Sequence, residues 1–333
     1  MSSLKPLSEQ TVVITGASSG IGLTTAKMAA ERGANVILVS RNGEALKEIA
    51  EEITAQGGRA DWVEADVGVR DEVRNVVSTV IERHGGFDTW INDAGVGIYA
   101  TLEETTDEDH EKIFQTNYWG VVYGSTEALP HLKQHGGALI TLGSISSDMP
   151  APVLSAYTAS KHAVKGFIDS LRMELIHEKA PVSVSLIKPS GIHTPFGIRA
   201  ENYADKRSRV PLPVYHPELV AKSILYCAEH EKREIMIGES GVIQTTTAQL
   251  FPRLADKMFS SLFYKMAYEN RAPRGSANLH EPGNEGMRLG DQDDPAIRFS
   301  PATELQMRPG AKWALIGGGL LAAGWLMNRR ANA

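Results

Sequence analysis

The sequence predicts an α/β chain built on a doubly wound parallel sheet of about seven strands, with a helical extension at its C-terminal side. Three observations lead there. Short runs almost continuous in Val, Ile and Leu alternate with helix-length amphipathic stretches, as strands buried on both faces and joined by crossover helices do. A glycine-rich loop joins the first run to the first amphipathic stretch, where an open sheet of this class holds its ligand. A hydroxyl, a phenol and an amine (Ser144, Tyr157 and Lys161) follow the fifth run at spacings that let them share one cleft.

The runs are Thr11–Thr15, Asn35–Ser40, Asp61–Ala65, Thr89–Asn92, Ala138–Leu142 and Val182–Ile187, with Glu234–Gly238 as a last strand after a helix over Pro217–Glu231. The first leads into TGASSGIGL, Thr15–Leu23. Glycines at 16, 20 and 22 let the backbone turn tightly and approach a pyrophosphate at the N-terminus of the next helix. The second run ends at Ser40 and is followed by Arg41 and Asn42. No Asp or Glu stands there to hold the adenosine ribose hydroxyls of NAD. A guanidinium would bind a 2′-phosphate with charge-assisted hydrogen bonds, so NADP(H) is expected over NAD(H). Between the later runs, Ala163–Glu178 places Val164, Phe167, Ile168, Leu171 and Leu175 on one helical stripe.

The strand ALITLGS would deliver Ser144 to the cleft at the end of the sheet. If Tyr157 opens a helix, Lys161 lies one turn along on the same face. A phenol titrates near ~10 in water, and an adjacent ammonium favours the phenolate and draws that value toward neutrality. Tyr157 is then expected as a general acid/base, with the Ser144 hydroxyl holding a carbonyl oxygen.

With these motifs in order, the chain resembles the short-chain dehydrogenase/reductase family, in the branch that carries T-G-x-x-x-G-x-G and Y-x-x-x-K. The likeness runs from about Thr11 to Gly238. It implies a Rossmann-type catalytic domain and a tetrad of Asn117, Ser144, Tyr157 and Lys161. It also implies cofactor contacts from Gly16, Ser18, Ser19, Gly20, Ile21 and Gly22 to phosphates and ribose, and from Asp66 and Val67 to adenine. Ser40, Arg41 and Asn42 would hold the adenosine end. Asn92, Ala94 and Gly95 would lie beside the riboses, and Tyr157 and Lys161 beside the nicotinamide ribose. The backbone of Pro189–Pro195, with Pro189, Gly191, Ile192 and Thr194, would meet the nicotinamide carboxamide. The implied reaction moves hydride between NADP(H) and a carbonyl carbon while Tyr157 moves a proton, with Asn117 anchoring a relay water. Members of the family are mostly dimers or tetramers through helices corresponding to Asp109–Lys133 and Ala156–Lys179. Two positions depart from the family pattern: Asp93 where N-N-A-G has its second Asn, and Ser190 where glycine is preferred. The first is expected to bear on local stability rather than catalysis, because that position supports the sheet. The competing reading is a non-catalytic dinucleotide sensor or scaffold on the same fold, for which a complete tetrad has no use.

Composition narrows the rest. With 333 residues, 42% of them hydrophobic, the chain has material for one large α/β domain plus appendages. A net charge of −6 without a basic run argues against a nucleic-acid partner. The single cysteine, Cys227, suits a reducing compartment. The first residues show no basic-then-apolar signal pattern, so a cytoplasmic start is expected. His131 and His135 lack the glutamate of a zinc-hydrolase helix, and Ser144, Ser146 and Ser147 lie outside a G-x-S-x-G elbow, so neither metal nor serine hydrolysis is expected.

The expected organisation is a catalytic domain over 1–245, an amphipathic helical extension over 246–270, a flexible linker over 271–310 and a membrane-anchoring helix over 311–333. Substrate choice is expected from the loops Met149–Ser155 and Phe196–His216, whose apolar residues suit a hydrophobic carbonyl or alcohol. The extension, interrupted by Pro252, would cover the pocket mouth or lie on a bilayer. Residues 271–310 lack periodicity and are rich in Pro, Gly and charge. Trp313–Met327 holds fifteen residues without a charge, between Lys312 and the pair Arg329 and Arg330. At ~22 Å it falls short of about 30 Å of hydrocarbon, a gap that snorkelling and interfacial tryptophans can close. The expected location is therefore the cytoplasmic face of a membrane, held by this tail, or the cytoplasm.

Overall fold

Seven parallel strands form one sheet in the computed structural model, which describes residues 4–273, 277–283 and 286–308. They are β1 (Thr11–Thr15), β2 (Asn35–Ser40), β3 (Arg59–Glu64), β4 (Thr89–Asn92), β5 (Gly137–Leu142), β6 (Val182–Pro189) and β7 (Glu234–Ile237), in the spatial order 7-6-5-4-1-2-3. The chain builds outward from β1 through β2 to β3, then returns to place β4 on the other side of β1. Ligands of such sheets bind at that reversal, outside the strand C-termini. The helices are α1 (Gly20–Glu31), α2 (Gly43–Ala55), α3 (Arg70–His84), α4 (Asp107–Phe114), α5 (Gly120–His135), α6 (Ser155–His177), the short α7 (Phe196–Arg199), α8 (Pro217–Glu229), α9 (Glu239–Leu250), α10 (Pro252–Ala267) and α11 (Pro301–Met307).

Two apolar cores follow from the two faces of the sheet. Val12, Ile14, Val36 and Leu38 pack with Leu23 of α1, Leu46 and Ile49 of α2 and Ile224 of α8. Val13, Ile37, Val39 and Leu139 pack with Val76 of α3, Val121 of α5 and Ile168 of α6. Alternation along β1 and β2 thus sends successive side chains to opposite cores. Several boundaries differ from expectation. β3 begins at Arg59, two residues before the expected Asp61, whereas α6 begins at Ser155 and so places Tyr157 in its first turn, as expected. The extension begins at Glu239, directly after β7, rather than at 246. Pro252 separates α9 from α10 by standing in the first turn of α10, where its missing N–H leaves no intrahelical bond unmade.

The segment expected as a linker lies against the domain wherever it is described. Leu279 is fully buried with Val96, Ile98, Ala100, Ile113 and Ala156. Farther on, α11 is capped by Ser300, whose hydroxyl accepts from the Thr303 amide at 3.2 Å. The Gln306 side chain accepts from the Met236 amide (3.0 Å) and donates to the Met236 carbonyl (2.9 Å), so a side chain takes the place of a neighbouring strand along β7. Composition is blind to this order, because the Gln306 side chain finds its partner in β7, far away in the chain. The anchor helix expected over 311–333 lies outside the described residues. Among the described residues, no helix is long and apolar enough to cross a membrane.

The turn after β5, which carries Ser144, is pinned by one buried carboxylate. Asp148 accepts from Lys188 of β6 at 2.6 Å and pairs with Lys165 of α6 at 2.8 Å. Burial raises its carboxyl, but these two ammonium groups outweigh that and hold it below the ordinary carboxylate value. Removing one partner of such a buried pair leaves an uncompensated charge. Asp148→Ala is therefore expected to cost about 3–5 kcal/mol in urea unfolding. A loss under about 1 kcal/mol would show that Glu234, 3.3 Å from Lys188, suffices alone.

Candidate active site

The glycine loop turns at Gly16 with φ +71°, and an added Cβ there would lie 2.8 Å from the Ala94 Cα. The loop after β1 and the loop after β4 are therefore in backbone contact, which only glycine permits. Gly22 serves the same approach from inside α1, since a Cβ would lie 2.3 Å from the Gly16 carbonyl oxygen. The result is a cleft of about 180 Å³ lined by Gly16, Ser18, Ser19, Gly20, Ile21, Ser40, Arg41, Asp66, Val67, Ala94, Gly95 and Thr194, all expected from sequence. It also includes Asp93 and Asn278, which were not. Ile21, Asp93, Gly95, Thr194 and Phe196 also line a second cavity of about 410 Å³, where Ser144, Tyr157 and Lys161 stand with Pro189, Gly191 and Ile192.

Ser144 is placed by β5 and held by a reciprocal cap: its hydroxyl accepts from the Ser146 amide at 3.0 Å, and its own amide donates to the Ser147 hydroxyl at 3.2 Å. That leaves the Ser144 proton to donate elsewhere, and the hydroxyl bonds the Tyr157 side chain. Tyr157 lies in the first turn of α6, with its ring 5.3 Å from that of Phe196. One turn on, the Lys161 ammonium donates to the Leu142 carbonyl at 2.8 Å and lies 5.8 Å from the Tyr157 ring centre.

Three expectations change here. Lys161 does not draw the phenol toward neutrality: burial pushes Tyr157 up to about 12, the Ser144 hydrogen bond opposes this, and the charge of Asp93 adds to it. Burial likewise lowers Lys161 to about 8, against the attraction of Asp93. Sequence shows the partner but not the desolvation, and here desolvation is the larger effect. Second, Asn92 and Asp93 exchange their expected roles. Asn92 is buried in the sheet, accepting from the Trp90 indole at 2.8 Å and donating to Ser125 and Thr141, and it lines neither cavity. Asp93 is the residue that faces both. Third, the Asn117 side chain is spent on protein. It accepts from the Val96 amide at 2.8 Å and donates to the Val96 carbonyl and the Ser160 hydroxyl, inside a π-helical turn at Gln115–Trp119. Asn42 is likewise absent from the lining of both cavities; its side chain caps α2 at the Ala45 amide.

The larger cavity is walled by both loops expected to select substrate, through Met149, Leu154, Phe196 and Leu212, and by Phe259 and Phe263 of α10. Loop 196–216 is tied down rather than free: Ser208 donates to the Gly197 carbonyl at 2.7 Å, and Arg207–Ser208 pairs with Tyr268–Glu269. Among the described residues no cluster of His, Cys, Asp or Glu could hold a metal ion.

A doubly wound sheet with a glycine loop at its reversal and a Ser/Tyr/Lys cluster over the adjoining cavity defines a dinucleotide-dependent oxidoreductase scaffold. The chain belongs to the short-chain dehydrogenase family, whose model matches residues 10–204. It is 44% identical over 285 residues to the uncharacterized oxidoreductase YxnA of Bacillus subtilis, covering 84% of this chain and 80% of that one. It is 34% identical over 235 residues to 11-beta-hydroxysteroid dehydrogenase A of Sesamum indicum, covering 67% of each. An alcohol dehydrogenase from Thermococcus sibiricus, solved with 5-hydroxy-NADP, superposes with a TM-score of 0.61 at 25% identity, over 68% of this chain and 95% of that one. Other solved neighbours of this fold are complexes with NAD or with NADP.

Asp93 gives the site a pH signature. Burial raises its carboxyl from 3.8 to about 7, while the Lys161 charge and the Gly22 amide oppose the shift. A carboxyl held higher in the folded chain than in the unfolded one binds the extra proton when folded. Stability therefore falls as pH rises from about 4 to about 7, and the loss is complete above that. Asp93→Asn is expected to raise Tm at about pH 8 and to change it little at about pH 4.5. Equal shifts at the two pH values, measured by differential scanning fluorimetry, would show that Asp93 is ionised at no cost.

Proposed function

We propose that this chain interconverts a hydrophobic ketone or aldehyde and its alcohol, using NADP(H). One observation carries the reading: the Ser144–Tyr157 pair and Lys161 stand in an apolar cavity that shares five lining residues with the glycine-loop cleft. The cleft fits a dinucleotide. Its backbone approaches closely at Gly16, Ser19 and Ile21 line it at the start of α1, and no carboxylate directly follows β2, where Arg41 lines the cleft with a charge suited to a 2′-phosphate. A bound dinucleotide supplies or accepts the hydride.

The chain supplies the rest. The Ser144 hydroxyl, fixed by the Ser146 amide, donates to the substrate oxygen. Tyr157 holds its proton until that oxygen needs it, and a phenol raised by burial suits proton donation to a forming alkoxide. Lys161 donates to the Leu142 carbonyl and so holds the first turns of α6, and Tyr157 with them, against the end of β5. Asn117 braces the Val96 backbone against α6 through Ser160. The apolar walls exclude water and bind a hydrophobic body; the sesame steroid dehydrogenase among the relatives supports a substrate of that class.

NADPH oxidation across a panel of hydrophobic ketones tests this. Tyr157→Phe is expected to lower kcat by roughly 10²–10⁴ with a far smaller effect on NADPH binding. Undiminished turnover in that variant would remove Tyr157 from the proton transfer.

We also propose that the C-terminal tail attaches the enzyme to the cytoplasmic face of a membrane. The exposed Leu250, Phe251, Leu254 and Met258 of the extension lie beside the cavity wall formed by Phe259 and Leu262, so an apolar surface surrounds the route by which an apolar substrate would enter. Truncation after Gly310 is expected to move the protein from the membrane pellet to the supernatant. Unchanged pelleting would show that the tail is not the attachment.

A further inference from the structure

The stretch expected as a linker crosses the dinucleotide cleft. On one bank, Arg41 donates to the carbonyls of Asn278 (2.6 Å), His280 (3.3 Å) and Glu281 (3.4 Å). The Gly286 amide donates to the Ser18 carbonyl at 2.9 Å, and the first amide of α1, from Gly20, donates to the Met287 carbonyl at 2.8 Å. On the opposite bank, the Asn278 amide donates to the Arg199 carbonyl at 2.8 Å. The Gly290 amide donates to the His193 carbonyl at 3.4 Å, and a Cβ at Gly290 would lie 2.7 Å from the Thr194 carbonyl oxygen. Leu279 anchors one end in the small core under Val96 and Ile113. Arg288 ties the other end to Thr24 of α1 and Glu218 of α8. Asn278 itself lines the cleft beside Ser40 and Arg41.

We propose that residues 277–283 and 286–292 form an outer wall of the dinucleotide cleft that retains the nucleotide, with Asn278 as a cofactor-contacting residue at the Arg41 end. This rests on the dinucleotide reading above. The wall is bonded to the glycine loop on one side and to the 193–199 segment on the other, so a molecule lying along the cleft passes beneath it. Entry and departure both require the bonds at Ser18 and Gly20 to open. A barrier common to both directions slows association and dissociation together, and contacts made only when the wall is shut weight the effect toward slow release. The Arg41 guanidinium acts twice: it lines the cleft, and it gathers the carbonyls of Asn278, Leu279, His280 and Glu281 in the wall above it.

The test uses the full chain and stopped-flow fluorescence of NADPH, repeated with NADH. Leu279→Ser removes the buried anchor, and Arg288→Ala cuts the half-exposed tether without entering the cleft; the second keeps the test decisive if the first fails to fold. Release of NADPH is expected to be about tenfold faster in Leu279→Ser and a few-fold faster in Arg288→Ala. In both variants, faster amide exchange at Gly20 and Gly286 should accompany the faster release. Release within about twofold of wild type in a folded variant whose Gly20 amide exchanges faster would overturn the proposal. So would faster association with unchanged release, which would make the segment a plug and not a retainer. Those results leave the dinucleotide reading standing. Failure of the wild-type chain to bind either nucleotide would overturn that reading and the wall with it.

Discussion

The hydrogen bond from the buried Lys161 ammonium to the Leu142 carbonyl is the constraint on which the site turns. Leu142 ends β5, two residues before Ser144, and Lys161 stands one turn after Tyr157 on α6. One bond therefore sets the hydroxyl and the phenol relative to each other, across a crossover of some dozen residues that would otherwise leave them independent. Asp148 reinforces the same junction from the other side, joining the turn after Ser144 to both α6 and β6. The two contacts differ in kind. The first fixes the hydroxyl relative to the phenol, and the second keeps their supporting turn from shifting.

Charge in the cavity is arranged around the same ammonium. Asp93 and Lys161 each lose solvation on burial and recover part of it from the other. Asparagine, which the family pattern has at position 93, would leave the amine without that counter-charge. The carboxylate in turn makes ionisation of Tyr157 harder. A site so balanced keeps the phenol protonated at neutral pH, the state in which it can deliver a proton.

Much of this was legible in the residues alone, and the failures have physical causes. The strands could be read because Val and Ile occupy both faces of β1 and β2, a pattern that few other environments tolerate. The glycine loop could be read because Gly16 and Gly22 answer steric demands that admit no side chain. Assigning Asn92 and Asp93 to the wrong faces was unavoidable, since adjacent residues at a strand end point in opposite senses and sequence does not say which sense faces the cleft. The direction of the Tyr157 shift was misread because a motif shows the neighbouring charge but not the water removed around it. Residues 277–283 and 286–308 read as a linker for a different reason. Their order is imposed by Arg41, Gly20 and Met236, far away in the chain, and leaves no periodic mark in the segment itself.

The Gln306 side chain, bonded to both main-chain groups of Met236, has a consequence for assembly. An unpaired strand at the rim of a sheet invites the same strand of another molecule to add to it, producing a continuous sheet through two copies. Here the donor and acceptor at the centre of β7 are already satisfied from within the chain, and α11 stands where a second molecule's strand would have to lie. Copies of this protein that associate do not do so by extending the sheet across this rim.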